Sequence, residues 1–176
     1  AQLDAALSGA PPVELLRLTA PRVELVYAFA GQSAQTTGLI TRAEARLPEA
    51  ARPDFVRRSD ALGDALEEGL VTPSRFEVLR EACLGLRSLL GELGPLETEG
   101  MRRILALAES YGCTGKQSGA GGGDGCILFA PDPEHRDALL ECLRQRGFHA
   151  WSVLPEPGLK SESAPDPQLE RWLDAG

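Results

Sequence analysis

The chain has 176 residues, a hydrophobic fraction of 43% and a charged fraction of 25%, enough for one ordinary domain with a buried core. Its net charge of −8 weighs against nucleic acid or an anionic membrane surface as partner. It does not weigh against a phosphorylated metabolite, for which a few local cations in a pocket decide.

Residues 1–21 read as a lead-in, with Gly9 and Pro11-Pro12 breaking any helix begun at Ala1. Val23 to Ala30 is rich in β-formers and stops at Gly31, which predicts a strand followed by the small, hydroxyl-bearing loop Gly31–Thr37. Thr41 with Glu44 forms a capping-box pattern that predicts a helix through about Ala51. Phe55, Ser59, Leu62, Leu66 and Leu70 then share one helical face. Ser74 with Glu77 gives a second capping-box pattern, after which Phe76, Leu79, Cys83, Leu86, Leu90 and Leu93 keep three-and-four spacing as a core stripe. Gly94-Pro95 stops that helix. Met101, Ile104, Leu105 and Ala108 mark the next, with Gly112 as its C-cap.

A short extended piece at Cys113–Lys116 leads into the densest motif of the chain, Lys116-Gln-Ser-Gly-Ala-Gly-Gly-Gly-Asp-Gly-Cys126, followed by an apolar strand through Ala130. Five glycines within that loop permit positive φ angles and a close backbone approach to a ligand. Successive N–H groups of such a loop can converge on an anion as a phosphate nest, and a flexible linker is the bland alternative. Asp132-Pro133 opens a helix by the N-cap and N1 rule, carrying Leu139, Leu140 and Leu143 to Gly147. Phe148–Val153 is the final strand, and residues 155–176 form a Pro-rich tail with a short terminal helix around Trp172. The order predicts an α+β fold, a ferredoxin-like layer with a helical insert, spanning residues 22–154.

Cys83, Cys113, Cys126 and Cys142 have no metal-ligand spacing with one another or with His135 and His149, so they read as buried thiols rather than as a zinc site or a disulfide framework. No apolar run approaches the roughly 20 residues of a membrane span, and the N-terminus shows no signal-peptide pattern, so the expected compartment is the cytoplasm. A chain opening on Ala1 rather than Met is expected to be a fragment or a processed chain.

The loop Lys116–Asp124 resembles the third signature of the GHMP kinases, the small-molecule kinases of galactose, homoserine, mevalonate and phosphomevalonate. Ser118-Gly-Ala-Gly-Gly-Gly-Asp124 is most similar to the phosphomevalonate kinase branch, where an Asp follows the glycines. Tyr27 to Thr37 resembles that branch's Gly-Trp-Thr-Gly-x-Pro-Ala-Ser-Thr strand and loop, with Gly31, Ala34 and Thr36 on matching positions. Phe29, Ala30, Ser33 and Gln35 depart from it. Leu93–Gly100 and Asp124–Phe129 look like myxobacterial members. The family's Pro-x-x-x-Gly-Leu-Gly-Ser-Ser-Ala-Ala ATP loop and its N-terminal lysine strand have no counterpart here. The resemblance therefore covers the C-terminal, substrate-side half of a two-lobed kinase.

That resemblance implies phosphoryl transfer from ATP to 5-phosphomevalonate, with ATP and Mg²⁺ bound mainly by an N-terminal ATP-binding lobe as the chain's partner. The acceptor is already an anion, so catalysis is chiefly positioning and charge neutralisation. Ser118, Gly119, Ala120, Gly121, Gly122 and Gly123 are expected to line the acceptor pocket, with N–H groups and the Ser118 hydroxyl as donors. Lys116 adds positive charge or points to solvent; Asp124 orients the loop as an Asx turn or contacts substrate directly. Ser33, Thr36 and Thr37 either meet the mevalonate hydroxyl or carboxylate, or make an ST turn that caps the next helix. No residue of this chain is assigned as catalytic. Two other readings remain: a GHMP kinase of a sugar or sugar phosphate, and a non-catalytic module that binds a phosphorylated metabolite.

Overall fold

A computed structural model describes residues 23–31, 36–119 and 121–154. Four strands, β1 (Glu24–Phe29), β2 (Thr114–Gln117), β3 (Gly125–Ala130) and β4 (His149–Val153), form one sheet in the order β2-β3-β1-β4. Every neighbouring pair is antiparallel. With helices between β1 and β2 and between β3 and β4, this is the split β-α-β-β-α-β connectivity, an α+β fold with extra helices in its first crossover. Five α-helices are described: α1 (Thr36–Arg46), α2 (Arg52–Val71), α3 (Phe76–Gly91), α4 (Glu99–Ser110) and α5 (Pro133–Gln145).

Strand alternation decides which side chains meet which helices. Val26 and Ala28 of β1, Cys126, Leu128 and Ala130 of β3 and Ala150 of β4 point to one face, where α4 and α5 cover them. The helices contribute Met101, Ile104, Leu105 and Ala108 from α4 and Leu139, Leu140 and Leu143 from α5. Small residues at Ala28, Ala130 and Ala150 leave room for both helices to press onto the sheet. The opposite face receives α2 and α3 through a smaller cluster of Leu79, Cys83 and Phe129, ringed by half-buried Leu25, Leu66, Leu70 and Ile127. On that second face one cross-strand row runs Lys116, Ile127, Tyr27, Trp151. Tyr27 and Trp151 stack with ring centroids 5.1 Å apart, and Trp151 is 48% exposed.

The two helices of the closed face begin and end as their residues require. Thr98 caps α4 by accepting from the Met101 N–H at 3.3 Å, and Asp132 caps α5 by accepting from the His135 N–H at 2.9 Å. Gly112 and Gly147, at φ +70° and +84°, close them with paired bonds to the preceding turn. Gly112 donates to Glu109 and Cys113 to Ala108; Gly147 donates to Arg144 and Phe148 to Leu143. All four cysteines are free and buried. Burial pushes the thiols of Cys83 and Cys113 up to about 11 and that of Cys126 to about 12.

Three expectations need correction. Helix α1 starts at Thr36, so the Thr41–Glu44 pair lies inside a helix already under way rather than at its cap. The second capping box does not form either: Ser74 sits in a 3-10 turn, Pro73–Arg75, and α3 starts at Phe76 with no side-chain cap. Proline at the head of that turn, with its fixed φ, redirects the chain one step later than the pattern predicts. Within α3 the fully buried positions are Leu79, Ala82, Cys83 and Leu89, while Leu86 and Leu90 are half-buried and Leu93 falls beyond the helix.

Candidate functional site

The glycine loop joins β2 to β3 as a hairpin connection. Its neck is the Gln117–Cys126 pair, and the Ser118 N–H donates to the Gly125 carbonyl at 2.9 Å. Gly119, Gly121 and Gly122 take φ values of +70°, +80° and +74°, so glycine is required by the backbone as well as by the space. A Cβ on Gly121 would sit 2.7 Å from the Leu96 carbonyl oxygen, and one on Gly122 would sit 2.5 Å from Leu39 Cδ1. At Gly119 no atom would lie within 4 Å, and this residue is exposed. The loop therefore packs Gly121 and Gly122 against the α3–α4 connection and α1 and leaves Gly119 exposed.

Two of the expected amide donors are committed inside the chain. The Ser118 N–H serves the hairpin neck, and the Gly122 N–H donates to the Leu96 carbonyl at 2.6 Å. Among the described residues of the loop, Gly119 is the exposed one, next to half-buried Ser118. Gly123 is buried, and Asp124 adopts φ +55°, a left-handed conformation that Asp tolerates better than most residues. The Lys116 ammonium donates to the Gln117 carbonyl at 2.9 Å, which places this half-buried cation at the base of the loop.

The structure brings the two sequence motifs together. The Asp124 carbonyl accepts a hydrogen bond from the Ala30 N–H at 2.6 Å, so the chain leaves β1 directly beside the glycine loop. The start of α4 closes in from a third side: a Cβ on Gly100 would lie 2.5 Å from the Ala30 carbonyl oxygen. Thr36 and Thr37 form the first turn of α1, while their side chains, together with Ser33 and Ala120, lie outside the described residues.

Sequence reasoning did not single out Tyr27 or Leu96 for this site. The Tyr27 ring leans over Gly125, where a Cβ would meet its hydroxyl at 2.9 Å. Burial raises the Tyr27 phenol above its ordinary range, and the charges of Asp124 and Cys126 add to that rise. Leu96 acts through its carbonyl, for which a sequence carries no signal. Two cavities share Leu96 and Gln117 as lining. One of about 190 Å³ is apolar and reaches Gly119 past Leu39, Leu90 and Leu93; the other, about 580 Å³, holds Arg46, Arg87, Glu97 and Arg102. Gln117 is 1% exposed and its Oε1 finds no hydrogen-bond partner. Among the described residues no group of three or more His, Cys, Asp or Glu side chains is placed to hold a metal ion, and no helix is long and apolar enough to cross a membrane.

This geometry can be set beside known proteins. Compared by sequence with curated proteins, the chain has no match. Among solved structures it is similar to the Lin0012 protein from Listeria innocua, with TM-score 0.71 and 20% identity over 87% of this chain and 48% of that one. It is similar to Streptococcus pneumoniae phosphomevalonate kinase in complex with phosphomevalonate and AMPPNP, with TM-score 0.67 and 17% identity over 86% and 49%. L. major mevalonate kinase in complex with R-mevalonate gives TM-score 0.62 and 17% identity over 77% and 44%. At these identities the likeness is one of fold, and the chain spans about half the length of these structures or less. The family profile described as GHMP kinases C terminal matches residues 56–149, more than half of the chain, from α2 to the first residue of β4. The protein belongs to the GHMP kinase C-terminal domain family.

Proposed function

We propose that this chain is the acceptor-side part of a cytoplasmic kinase that transfers the γ-phosphoryl group of ATP to 5-phosphomevalonate, giving 5-diphosphomevalonate and ADP in isoprenoid synthesis. The observation that carries the reading is the junction of two loops. Ser118–Asp124, glycines closed by an aspartate, is bonded through Asp124 to the exit of β1, where the second phosphomevalonate-kinase-like motif begins. The fold shared with a phosphomevalonate kinase supports it.

The chain's own contribution is to bind and orient an anion. The acceptor phosphate is charged at neutral pH, so the obstacle is bringing it into line with a second anion, not deprotonating it. Gly119 and the Ser118 hydroxyl offer outward donors, Lys116 supplies a cation at the base of the loop, and Asp124 holds the loop against β1. The described residues do not furnish a metal-ligand set. We assign ATP and Mg²⁺ to an N-terminal ATP-binding lobe.

The test is ADP release with ATP, Mg²⁺ and phosphomevalonate, for this chain alone and for the chain joined to the rest of its reading frame. Silence alone and turnover when joined is the expected result. Turnover on mevalonate or a sugar instead would retain the family and overturn the substrate; mevalonate kinases share this fold, and Asp124 in place of a further glycine favours the phosphorylated acceptor. Binding of phosphomevalonate without ADP would favour a non-catalytic binding module.

A further inference from the structure

We propose that Arg87 is a positioning residue for the glycine loop, acting through Glu97 to fix the Leu96 carbonyl that holds Gly122. Its link to substrate rests on the kinase reading above; its link to the loop does not.

The α3–α4 connection reaches the loop through Leu96. The Leu96 carbonyl accepts from the Gly122 N–H at 2.6 Å and walls off Gly121 so closely that no Cβ fits there. That carbonyl can hold the loop only if its own peptide is held, and the neighbouring groups are engaged. The Leu96 N–H donates to the Gly94 carbonyl at 2.8 Å, and Arg102 Nη1 donates to the Glu97 carbonyl at 2.7 Å. The remaining handle is the Glu97 carboxylate. Arg87 grips it with two nitrogens, Nε at 2.7 Å and Nη2 at 3.4 Å, and spends Nη1 on Glu109 of α4 at 2.6 Å.

Arg87 thus ties α3, the connection and α4 into one frame behind the loop. The Arg87 and Glu97 side chains are only 19% and 20% exposed, so the pair is partly shielded from solvent. Burial works against the Arg87 charge, and the hydrogen bonds it donates to Glu97 and Glu109, with their negative charges, outweigh it. A lysine cannot replace this residue, since one ammonium cannot supply the planar fork and the third donor together. By contrast Arg58 makes a comparable fork to Glu92, at 2.8 Å through each nitrogen, on an exposed stretch.

The experiment is amide hydrogen exchange on the 176-residue chain, comparing Arg87→Gln, Arg87→Lys and Glu97→Gln with Arg58→Gln. The expected result is exchange in residues 118–124 accelerated about tenfold in the first three, with the β1 and β3 amides of Val26 and Leu128 unchanged, and no loop effect in Arg58→Gln. Unchanged loop exchange in Arg87→Gln and Glu97→Gln would overturn the proposal. So would acceleration shared equally by loop and sheet, which is a plain loss of stability. If Arg87→Gln fails to fold, Glu97→Gln, nearly isosteric, carries the test. In the joined kinase the same variants should raise KM for phosphomevalonate more than they lower kcat. Loop acceleration, with a joined protein that has no kinase activity, would keep the positioning role and sink the kinase reading; an active joined kinase with an unaltered loop would do the reverse.

Discussion

The two faces of the sheet are built to different standards. Toward α4 and α5, Val26, Ala28, Leu128, Ala130, Met101, Ile104, Leu139 and Leu143 are all fully buried. Toward α2 and α3 the buried cluster against the sheet shrinks to Leu79, Cys83 and Phe129, and the β1–β4 side of that face leaves Trp151 half in solvent. Loops need only one rigid face to be held in place. The closed face supplies it, and α4 both seals that face and sends its first turn against the β1 exit.

The largest effect should come from breaking the closed face. Leu128→Ala removes a fully buried side chain from the middle of the sheet and should cost about 3 kcal/mol, read from urea unfolding of the 176-residue chain. Next comes a tight point of the other face. Gly69 of α2 lies against α3 so closely that a Cβ would be 2.6 Å from the Leu79 backbone nitrogen. Gly69→Ala should therefore destabilise by about 2 kcal/mol through overpacking, in spite of alanine's better helix propensity. A gain in stability there would mean that α2 and α3 slide freely on the sheet.

Trp151→Ala should be milder, about 1 kcal/mol, because half of the indole is already in water and the loss is mainly its stacking on Tyr27. A cost matching that of Leu128→Ala would erase the distinction between the faces.

The smallest expected effect sharpens the comparison through pH. The Asp132 carboxyl is held below the ordinary carboxylate range by the His135 N–H, then by the His135 ring. A group whose pKa is lower when folded stabilises above its unfolded value, near 4, and loses that contribution as pH falls through the folded value. Asp132→Asn keeps the capping oxygen and removes the charge. It should flatten the acid limb below about pH 4, as followed by circular dichroism.

Much of this architecture is legible in the sequence because it is written in local chemistry. Thr98 aside, the ends of α4 and α5 follow from Gly112, Asp132-Pro133 and Gly147, and each glycine takes the positive φ that a helix terminus asks of it. The strands follow from β-formers bounded by glycine and aspartate. What fails is where a non-local contact competes. The leucine stripe of α3 puts Leu86 and Leu90 in the core, but α3 turns Ala82 and Leu89 inward, because its burial is set jointly by α2 and the sheet. The capping patterns at Thr41 and Ser74 are permissive motifs that no helix start uses here.

The site divides in the same way. Gly119, Gly121, Gly122 and Asp124 are visible as residues. The identity of the donors left facing outward is not, since it depends on where Leu96 and Gly125 place their carbonyls. A carbonyl belongs to every residue, and only the folded chain says which one is aimed at a neighbouring loop. Arg87 and Glu97 are hidden for a related reason: ten positions apart, across a helix end and a turn, they fit no periodic rule.

The single bond from the Ala30 N–H to the Asp124 carbonyl has a kinetic consequence. Three helices of the long crossover, and then α4 and β2, separate its two ends in the chain. Local helices form early, but closure between such distant segments is entropically expensive and waits for the sheet to assemble. The candidate site is thus among the last parts of the molecule to exist, and a nascent chain still lacking β3 has a nearly complete set of helices and no such site at all.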